Sequence, residues 1–261
     1  MTVKFMKDIK IMVAAHKQYR MPDDAMYLPV HVGAALSHGD ALQGMQRDDA
    51  GDNISAKNRS YCELTAVYWA WKNLRSDYIG LAHYRRHFRG RLFGAKFNKI
   101  LTGSRADKLL ADCNVLLPKK RRYYIETNYQ QYVHAHHSEG IMLVREVIDE
   151  LCPDYLLSFD KVMGQMSGHR FNMFVMRRDI FDKYCTWLFA VLFTVESRLD
   201  ISMWNETEQR VYGYLAERLL DVWLTKNAVA YRDIPYMFME NQHWCSKIIK
   251  FLKRKFSSKQ Q

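Results

Sequence analysis

Two adjacent arginines follow a buried apolar run in the stretch DYIGLAHYRRHF, residues 77–88. The letters YIGLA predict a strand, so Arg85 and Arg86 come where that strand should meet solvent at the edge of a sheet. A guanidinium carries a planar fork of N–H donors that matches the oxygen atoms of a phosphate. The pair therefore indicates an anion site, while an ion pair with the acidic loop at 48–52 explains the same arginines equally well.

Three histidines, His134, His136 and His137, form a second cluster of side chains that could do chemistry. A helix over 127–137 would place His134 and His137 together and turn His136 away. A metal would also need a carboxylate or a cysteine, and Glu139 alone is near in sequence. Polar surface or contacts to a substrate explain the cluster better, so we predict no metal ligand here.

The elements that must position these side chains alternate along the first half of the chain and become helical in the second. The pattern predicts strands over 8–17, 77–84, 112–120 and 171–179, and helices over 62–74, 127–137, 140–151, 154–163, 179–199 and 206–226. Parallel strands with polar residues at their carboxyl ends build a ligand crevice there. The sequence therefore predicts an α/β sheet with a helical C-terminal half.

Composition limits the partners without selecting one. A formal net charge of +11 and a pI near 9.4 favour an anionic partner, which can be a nucleic acid, a lipid surface or a phosphorylated substrate. No GxGxxG follows the first strand and no GxxxxGK[ST] occurs, which argues against a dinucleotide-binding turn and a P-loop. Five scattered cysteines argue against a zinc ribbon and a disulfide scaffold.

The amino-terminal MTVKFMKDIK lacks the apolar core of a signal peptide, and no apolar run is long enough to span a bilayer. We therefore expect a cytoplasmic protein. The last stretch, KIIKFLKRKFSSKQQ at 247–261, places a narrow apolar stripe among five basic residues, which suits an anionic membrane surface, although a solvated tail is the alternative. We predict one domain over 1–246 and a basic amphipathic tail over 247–261, with no nucleic acid as partner because no RNP, zinc-finger or basic-zipper pattern occurs.

Six blocks of the sequence together carry a family resemblance. They are KIMVAAHK, DNISAKNRSYCELTAVYWAWKN, YIGLAHYRRHF, LLPKKRRYYIE, SGHRFNMFVMRRDIFDKYCTWLF and RVYGYLAERLLDVWL, and they span most of 8–226 in one order. In these blocks the chain resembles the bacterial capsular and exopolysaccharide glycosyltransferase family long classed as a domain of unknown function.

The resemblance implies a GT-A-like, Rossmann-related sheet whose nucleotide lies over the strand tips. It implies transfer of a sugar from a uridine diphosphate donor, galactofuranose in some relatives, onto a lipid-linked glycan at the inner face of the cell membrane. The competing prediction is a basic, non-catalytic module that binds membranes or nucleic acid. Such a module would not need polar residues gathered at strand tips.

Many GT-A enzymes end the corresponding strand in a DxD motif that holds a divalent cation on the diphosphate. Here the strand ends in HYRR, so the resemblance implies that Arg85 and Arg86 take over this electrostatic role. A divalent metal such as Mn²⁺ or Mg²⁺ is therefore not favoured, although Asp112 and the acidic loop at 48–52 leave it open.

Within the family pattern RVYGYLAE, Glu217 is the first choice for the general base that takes the proton of the acceptor hydroxyl, with His137 in reserve. A helix-surface pair with Arg210 or Arg218 explains Glu217 equally well. The resemblance places these residues on the donor side: His16, Lys17, Asp52, Asn53, Asn58 and His83. It places these on the side of the acceptor or the transferred sugar: His137, His169, Asn172 and Arg210.

Overall fold

The computed structural model describes residues 7–37 and 42–240. The basic tail predicted at 247–261 therefore lies outside the described residues. The strands are β1 (Ile9–Ala15), β2 (Tyr27–His31), β3 (Gln46–Arg47), β4 (Tyr78–His83), β5 (Arg86–Phe88), β6 (Val115–Pro118), β7 (Arg121–Arg122), β8 (Ser167–Gly168), β9 (Phe174–Arg177), β10 (Arg232–Ile234) and β11 (Tyr236–Phe238).

Eight helices lie between the described strands. They are α1 (Asn58–Tyr61), α2 (Leu64–Asn73), α3 (Gly103–Leu109), α4 (Asn128–Val133), α5 (Ser138–Leu151), α6 (Leu156–Met163), α7 (Arg178–Glu196) and α8 (Val211–Lys226). Short 3-10 segments occur at Ala34–Leu36, Ser55–Lys57, Phe97–Lys99, Pro153–Tyr155 and Glu208–Arg210. No helix in the described ranges is long and apolar enough to cross a membrane.

The main sheet runs in the order β10-β6-β9-β4-β1-β2-β3. Strands β4, β1, β2 and β3 are parallel neighbours, whereas β9 runs antiparallel to both β4 and β6. The central strands β1 and β4 are buried along almost their whole length, as their continuous apolar sequences require of strands covered on both faces. The predicted α/β class is thereby confirmed.

One hydrophobic core lies on each face of the sheet. The larger core packs α2, α5, α6, α7 and α8 around residues such as Phe174, Leu188 and Leu219. The smaller core gathers the other faces of β1 and β4 with Phe88, Ile100 and Leu101. Because the sheet is held from both sides, its strand tips form a fixed platform.

The stretch 77–88 folds as a tight hairpin rather than as a strand that ends in a loop. After β4 the chain turns at Tyr84 and Arg85, and Arg86 already belongs to β5, which pairs with β4 and with β11. The backbone N–H of Met239, just after β11, donates to the carbonyl oxygen of Arg85 at 2.9 Å. Both arginines are thus held on a short, cross-braced element.

The sequence pattern does not predict two parts of the sheet. Strand β2 contains Pro29, yet it pairs in parallel with β1 and places Pro29 opposite Val13. Strands β10 and β11 are three residues each and flank Pro235. Proline normally occurs in loops or at the edges of sheets, because it lacks the backbone N–H that a central strand needs. The sequence pattern therefore predicts no strand around Pro29 or Pro235.

Candidate active site

A cavity of about 850 Å³ opens at the carboxyl ends of β1 and β4. It brings together seven of the residues predicted for the site: His16, Asn58, His83, Arg85, Arg86, Arg210 and Glu217. Five arginines and three glutamates line it, so the lining carries excess positive charge. Such a cavity suits an anionic ligand.

Among the described residues, Arg86 is a cation that makes no ion pair in this cavity; the charges of Glu63 and Glu217 act on it without direct contact. Its guanidinium lies over the Phe171 ring at 4.2 Å and near the Phe238 ring at 5.6 Å. Its buried Nε has no hydrogen-bond partner, and within 7–37 and 42–240 no carboxylate lies at ion-pair distance from it. Burial lowers the pKa of Arg86, although an arginine stays charged at neutral pH. A half-buried guanidinium whose buried Nε has no partner is costly unless a ligand anion completes its contacts.

Arg85 is placed differently from its neighbour. It is half-exposed at the rim, where Nη1 lies 3.6 Å from Glu240 Oε2 and the guanidinium lies 5.0 Å from the centroid of the Tyr84 ring. A long, exposed pair of this kind contributes little and can open for a ligand. Of the two arginines, Arg86 therefore has the stronger demand for an anion.

The acidic loop does not pair with these arginines, so that alternative explanation is wrong. Asp48 is fully buried and accepts hydrogen bonds from the backbone N–H groups of Gly33 and Ala34 and from the hydroxyls of Ser55 and Thr65. Asp49 accepts from Arg47. These carboxylates brace the loop instead of supplying charge or metal ligands to the cavity.

Glu217 belongs to a saturated buried network. Its Oε1 accepts from the backbone N–H of Phe171 at 3.1 Å, Oε2 accepts from Arg218 Nη1 at 2.9 Å, and Oε2 also forms an ion pair with Arg170 Nε at 2.9 Å. Burial raises the pKa of Glu217, but the two guanidinium groups outweigh it and hold the pKa below its usual value. Such a carboxylate is ionised but weakly basic, and its contacts suit it to fixing Arg170 and Phe171 in place.

Glu63 is a cavity carboxylate that the sequence pattern does not single out. Its Oε1 accepts from Asn172 Nδ2 at 2.8 Å, and in the described structure this is the only hydrogen bond made by its side chain. Three residues around it hold backbone conformations that side chains rarely adopt: Cys62 at φ 54°, Phe171 at φ 75° and Asn172 at φ 52°. Strain of this kind costs about 1 to 3 kcal/mol per residue and concentrates at functional sites.

Two histidines complete the strand-tip wall. His83 Nε2–H donates to the carbonyl oxygen of Phe171 at 2.6 Å, and burial lowers the pKa of His83, so its ring is neutral. Burial and then the charge of Arg85 lower the pKa of His16, which packs edge-on against Tyr84. Neither histidine carries a fixed positive charge, so the arginines are the groups of this wall that attract an anion.

Cys62 also lines the cavity, and its sulfur accepts from Arg210 Nε at 3.2 Å. Burial raises the pKa of this thiol to about 11. It is therefore protonated at neutral pH and is not suited to act as a nucleophile.

Three residues predicted for the donor side lie outside the cavity lining. Lys17 extends over the Tyr84 ring at 5.5 Å, next to the wall rather than in it. The carbonyl oxygen of Asp52 accepts from Asn73 Nδ2, and Asn53 donates to the carbonyl oxygens of Asp49 and Gly51. Both residues therefore stabilise the loop that leads into α1.

Two residues predicted for the acceptor side lie just behind the wall. Asn172 is buried and ties Glu63 to the carbonyl oxygen of Gly213, to which it donates at 3.0 Å. His137 precedes α5, lies 3.3 Å from a carboxylate oxygen of Glu208 and stacks on the ring of Trp204. Asn172 thus positions Glu63, whereas His137 packs at the start of α5.

The histidine cluster is arranged in another way than helical spacing predicts. Helix α4 ends at Val133, so His136 is not turned away: it lines the cavity and stacks on Tyr214 at 4.0 Å. Burial lowers the pKa of His136 to about 4. His134 pairs instead with Glu126 at 3.2 Å. Within the described residues, no group of three or more potential ligands is placed to hold a metal ion.

His169 lies in a separate buried cluster rather than in the cavity lining. Its Nδ1 lies 2.5 Å from Asp221 Oδ1 and its Nε2 lies 3.0 Å from Asp233 Oδ1, while Lys120 and Tyr231 close the cluster. Burial lowers the pKa of His169, but the two carboxylates outweigh it and raise the pKa above 6.5. Burial likewise raises the pKa of Asp221, but His169 and Lys120 hold it below 3.8.

This cluster predicts a pH-dependent contribution to stability. Because the pKa of His169 is raised, its contribution to the free energy of unfolding is fully present below about pH 6.5 and is lost as the pH rises through the pKa in the folded state. Because the pKa of Asp221 is lowered, its contribution is present above about pH 3.8 and is lost as the pH falls through the pKa in the folded state. We expect His169→Gln to lower the free energy of unfolding by about 3 kcal/mol at pH 5.5 and by less at pH 9. Urea denaturation at pH 5.5 and at pH 9 measures the free energy of unfolding of both proteins. An equal loss at the two pH values would contradict the predicted pH dependence.

Comparison with known proteins gives two matches. A family model described as a domain of unknown function (DUF4422) matches residues 10–228. Among solved structures, the apo structure of the bifunctional glycosyltransferase WbbM matches with a TM-score of 0.83 at 32% sequence identity. That match covers 90% of this chain and 46% of WbbM, so the chain spans about half the length of that protein. A comparison with curated proteins gives no match.

Proposed function

The chain belongs to the DUF4422 family, which its six sequence blocks predict, and from that membership and the geometry of the cavity we propose that it is a glycosyltransferase. It transfers a hexose, such as galactofuranose, from a uridine diphosphate sugar onto a lipid-linked glycan in the synthesis of a bacterial surface polysaccharide. The acceptor would bring the protein to the inner face of the cell membrane.

Arg86 carries this proposal. It is a half-buried guanidinium at the tips of β4 and β5, with a buried, unpartnered Nε and two aromatic rings beside it instead of an ion-pair partner. A diphosphate oxygen would satisfy its donors, and Arg85 lies next to it at the rim with a weak partner that a ligand can displace. The same charges neutralise the diphosphate as it leaves.

Glu63 is the carboxylate that we assign to the acceptor. In the transfer, the acceptor hydroxyl oxygen forms a bond to the anomeric carbon while the bond from that carbon to the diphosphate breaks. The electron pair leaves with the diphosphate, and Glu63 takes the hydroxyl proton. Glu63 suits this role better than Glu217, because the oxygens of Glu217 already accept two hydrogen bonds and form ion pairs with two arginines.

Asn172 and Glu217 support these groups from behind. Asn172 fixes one oxygen of Glu63, and Glu217 fixes the backbone of Phe171, on which Arg86 lies. His83 donates to the carbonyl oxygen of the same Phe171 and so ties the tip of β4 to this wall. The donor and acceptor groups are thereby held in one rigid frame.

A nucleotide screen tests the proposed function. Uridine diphosphate at one hundred times its Kd should stabilise the fold by about 2.7 kcal/mol, seen as a rise in Tm. Uridine should have a smaller effect, because it lacks the diphosphate that Arg86 binds. Adenosine and guanosine diphosphates serve as comparison ligands. If no nucleotide raises Tm, the proposed function is wrong.

A further inference from the structure

Two exposed tips combine large apolar side chains with a dense basic surround. In the first, Phe93 is 85% exposed and Leu92 is 65% exposed; in the second, Tyr124 is 80% exposed and Ile125 is 58% exposed. We call them the 92–93 tip and the 124–125 tip. These side chains pack in neither core and are available to a partner.

Basic residues flank both tips. Residues 85–106 contain seven lysines and arginines and no aspartate or glutamate; the 124–125 tip follows four consecutive basic residues at 119–122 and precedes Glu126, which pairs with His134. Other exposed apolar residues lack this surround: Leu157 lies between Asp154 and Asp160, and Met203 lies between Asp200 and Glu206 in sequence. Basic charge beside exposed apolar side chains complements an anionic lipid surface.

The backbone of the 124–125 tip supports a binding role. Tyr124 has φ 64°, a left-handed conformation that is unfavourable for a bulky side chain. The tyrosine ring lies in solvent and belongs to neither core. Strained, exposed aromatic residues are expected where a surface is built for a partner.

Both tips are tied to the walls of the cavity. Lys96, which follows the 92–93 tip, donates from Nζ to the carbonyl oxygen of Met239 at 3.0 Å, and Met239 N–H donates to the carbonyl oxygen of Arg85. Tyr123, which precedes the 124–125 tip, accepts from Arg170 Nη1 at 3.0 Å. Each tip is thus connected through hydrogen bonds to a residue that lines the cavity, Arg85 in one case and Arg170 in the other.

From these observations we infer that the 92–93 and 124–125 tips dock the protein onto an anionic lipid bilayer, with the four apolar side chains at the level of the headgroups. This surface is separate from the basic tail at 247–261. It would present the cavity to an acceptor that is itself anchored in the bilayer. The inference concerns lipid binding and can be tested without any sugar transfer.

Vesicle sedimentation of the full chain tests it. We expect the protein to bind vesicles of phosphatidylglycerol and phosphatidylcholine, and the variant Leu92→Ser/Phe93→Ser/Tyr124→Ser/Ile125→Ser to bind at least about tenfold more weakly. Added salt should weaken binding of the wild type. The control variant Leu157→Ser/Met203→Ser removes equally exposed apolar side chains and should bind like the wild type.

Several results would overturn the inference. Unchanged vesicle binding by the four-site variant would assign any lipid contact to another part of the chain. Equal binding of the wild type to pure phosphatidylcholine would remove the role of the charge. Self-association that the same substitutions abolish, without an effect on vesicles, would assign the tips to a second copy of the chain. Each pair is also replaced separately, and unchanged Tm confirms that the variants are folded.

Discussion

Replacing Arg86 with glutamine is expected to lower kcat/KM by about 10²- to 10³-fold, the usual cost of losing one preorganised donor to developing negative charge. The loss arises because, within the described part of the chain, Arg86 makes no ion pair and its buried Nε has no hydrogen-bond partner, so its donors are available to a diphosphate. Arg86→Lys should keep the charge but lose the planar fork, and it should fall between the wild type and the glutamine variant. The corresponding changes at Arg85, which is half-exposed, should have smaller effects.

Steady-state kinetics and uridine diphosphate binding together measure this effect. Arg145→Gln is the matched control, because Arg145 forms an exposed pair with Asp160 on the helical side of the sheet. Activity in the presence of a chelator should persist if Arg86 carries the electrostatic role. Normal donor affinity and rate in Arg86→Gln, or activity that requires added Mn²⁺ or Mg²⁺, would contradict the assignment.

Replacing Glu63 with glutamine is expected to lower turnover by about 10²- to 10⁴-fold, the usual range for a lost general base, while donor binding is retained. The amide keeps the shape of the side chain and its oxygen still accepts from Asn172, so the free energy of unfolding should change little. Steady-state kinetics measures the loss of turnover, and uridine diphosphate binding measures the retained donor affinity.

Glu217→Gln provides the contrast for this experiment. It removes the charge that compensates Arg170 and Arg218 in a buried network, so it should lower the free energy of unfolding by about 3 kcal/mol. Glu146→Gln, on the exposed face of α5, controls for the substitution itself. If Glu63→Gln turns over within a few fold of the wild type while uridine diphosphate still binds, Glu63 is not the base, and the proposed function stands apart from that outcome.

The central sheet and most helices could be predicted from the sequence because their patterns are local. Continuous apolar runs indicated β1 and β4, and helical spacing indicated α5, α7 and α8. Strand β2 could not be found in this way, since Pro29 breaks the pattern while its neighbour β1 supplies the pairing. The family resemblance pointed to Arg85, Arg86 and Glu217 before any geometry was known, but not to what each side chain contacts.

The remaining site residues depend on contacts between distant parts of the chain. His169 was predicted to face a substrate, yet Asp221 and Asp233 hold it from positions 52 and 64 residues away. His136 reaches the cavity because α4 ends at Val133. The sequence pattern extends this helix through the three histidines and so does not show where it ends. Glu63 lies between a strained Cys62 and the start of α2, and helical spacing treats it as an ordinary first-turn residue.

The hydrogen bond from Met239 to Arg85, and the pair between Arg85 and Glu240, have a practical consequence for labelling. Glu240 pairs with Arg85 at the rim of the cavity, whereas Ile9 begins β1 at the opposite end of that strand. Seven residues of β1 separate the two ends of the strand by roughly 23 Å. A fluorophore attached to the side chain at position 240 would lie at the mouth and report on ligand entry, while one attached next to Ile9 would leave the mouth open.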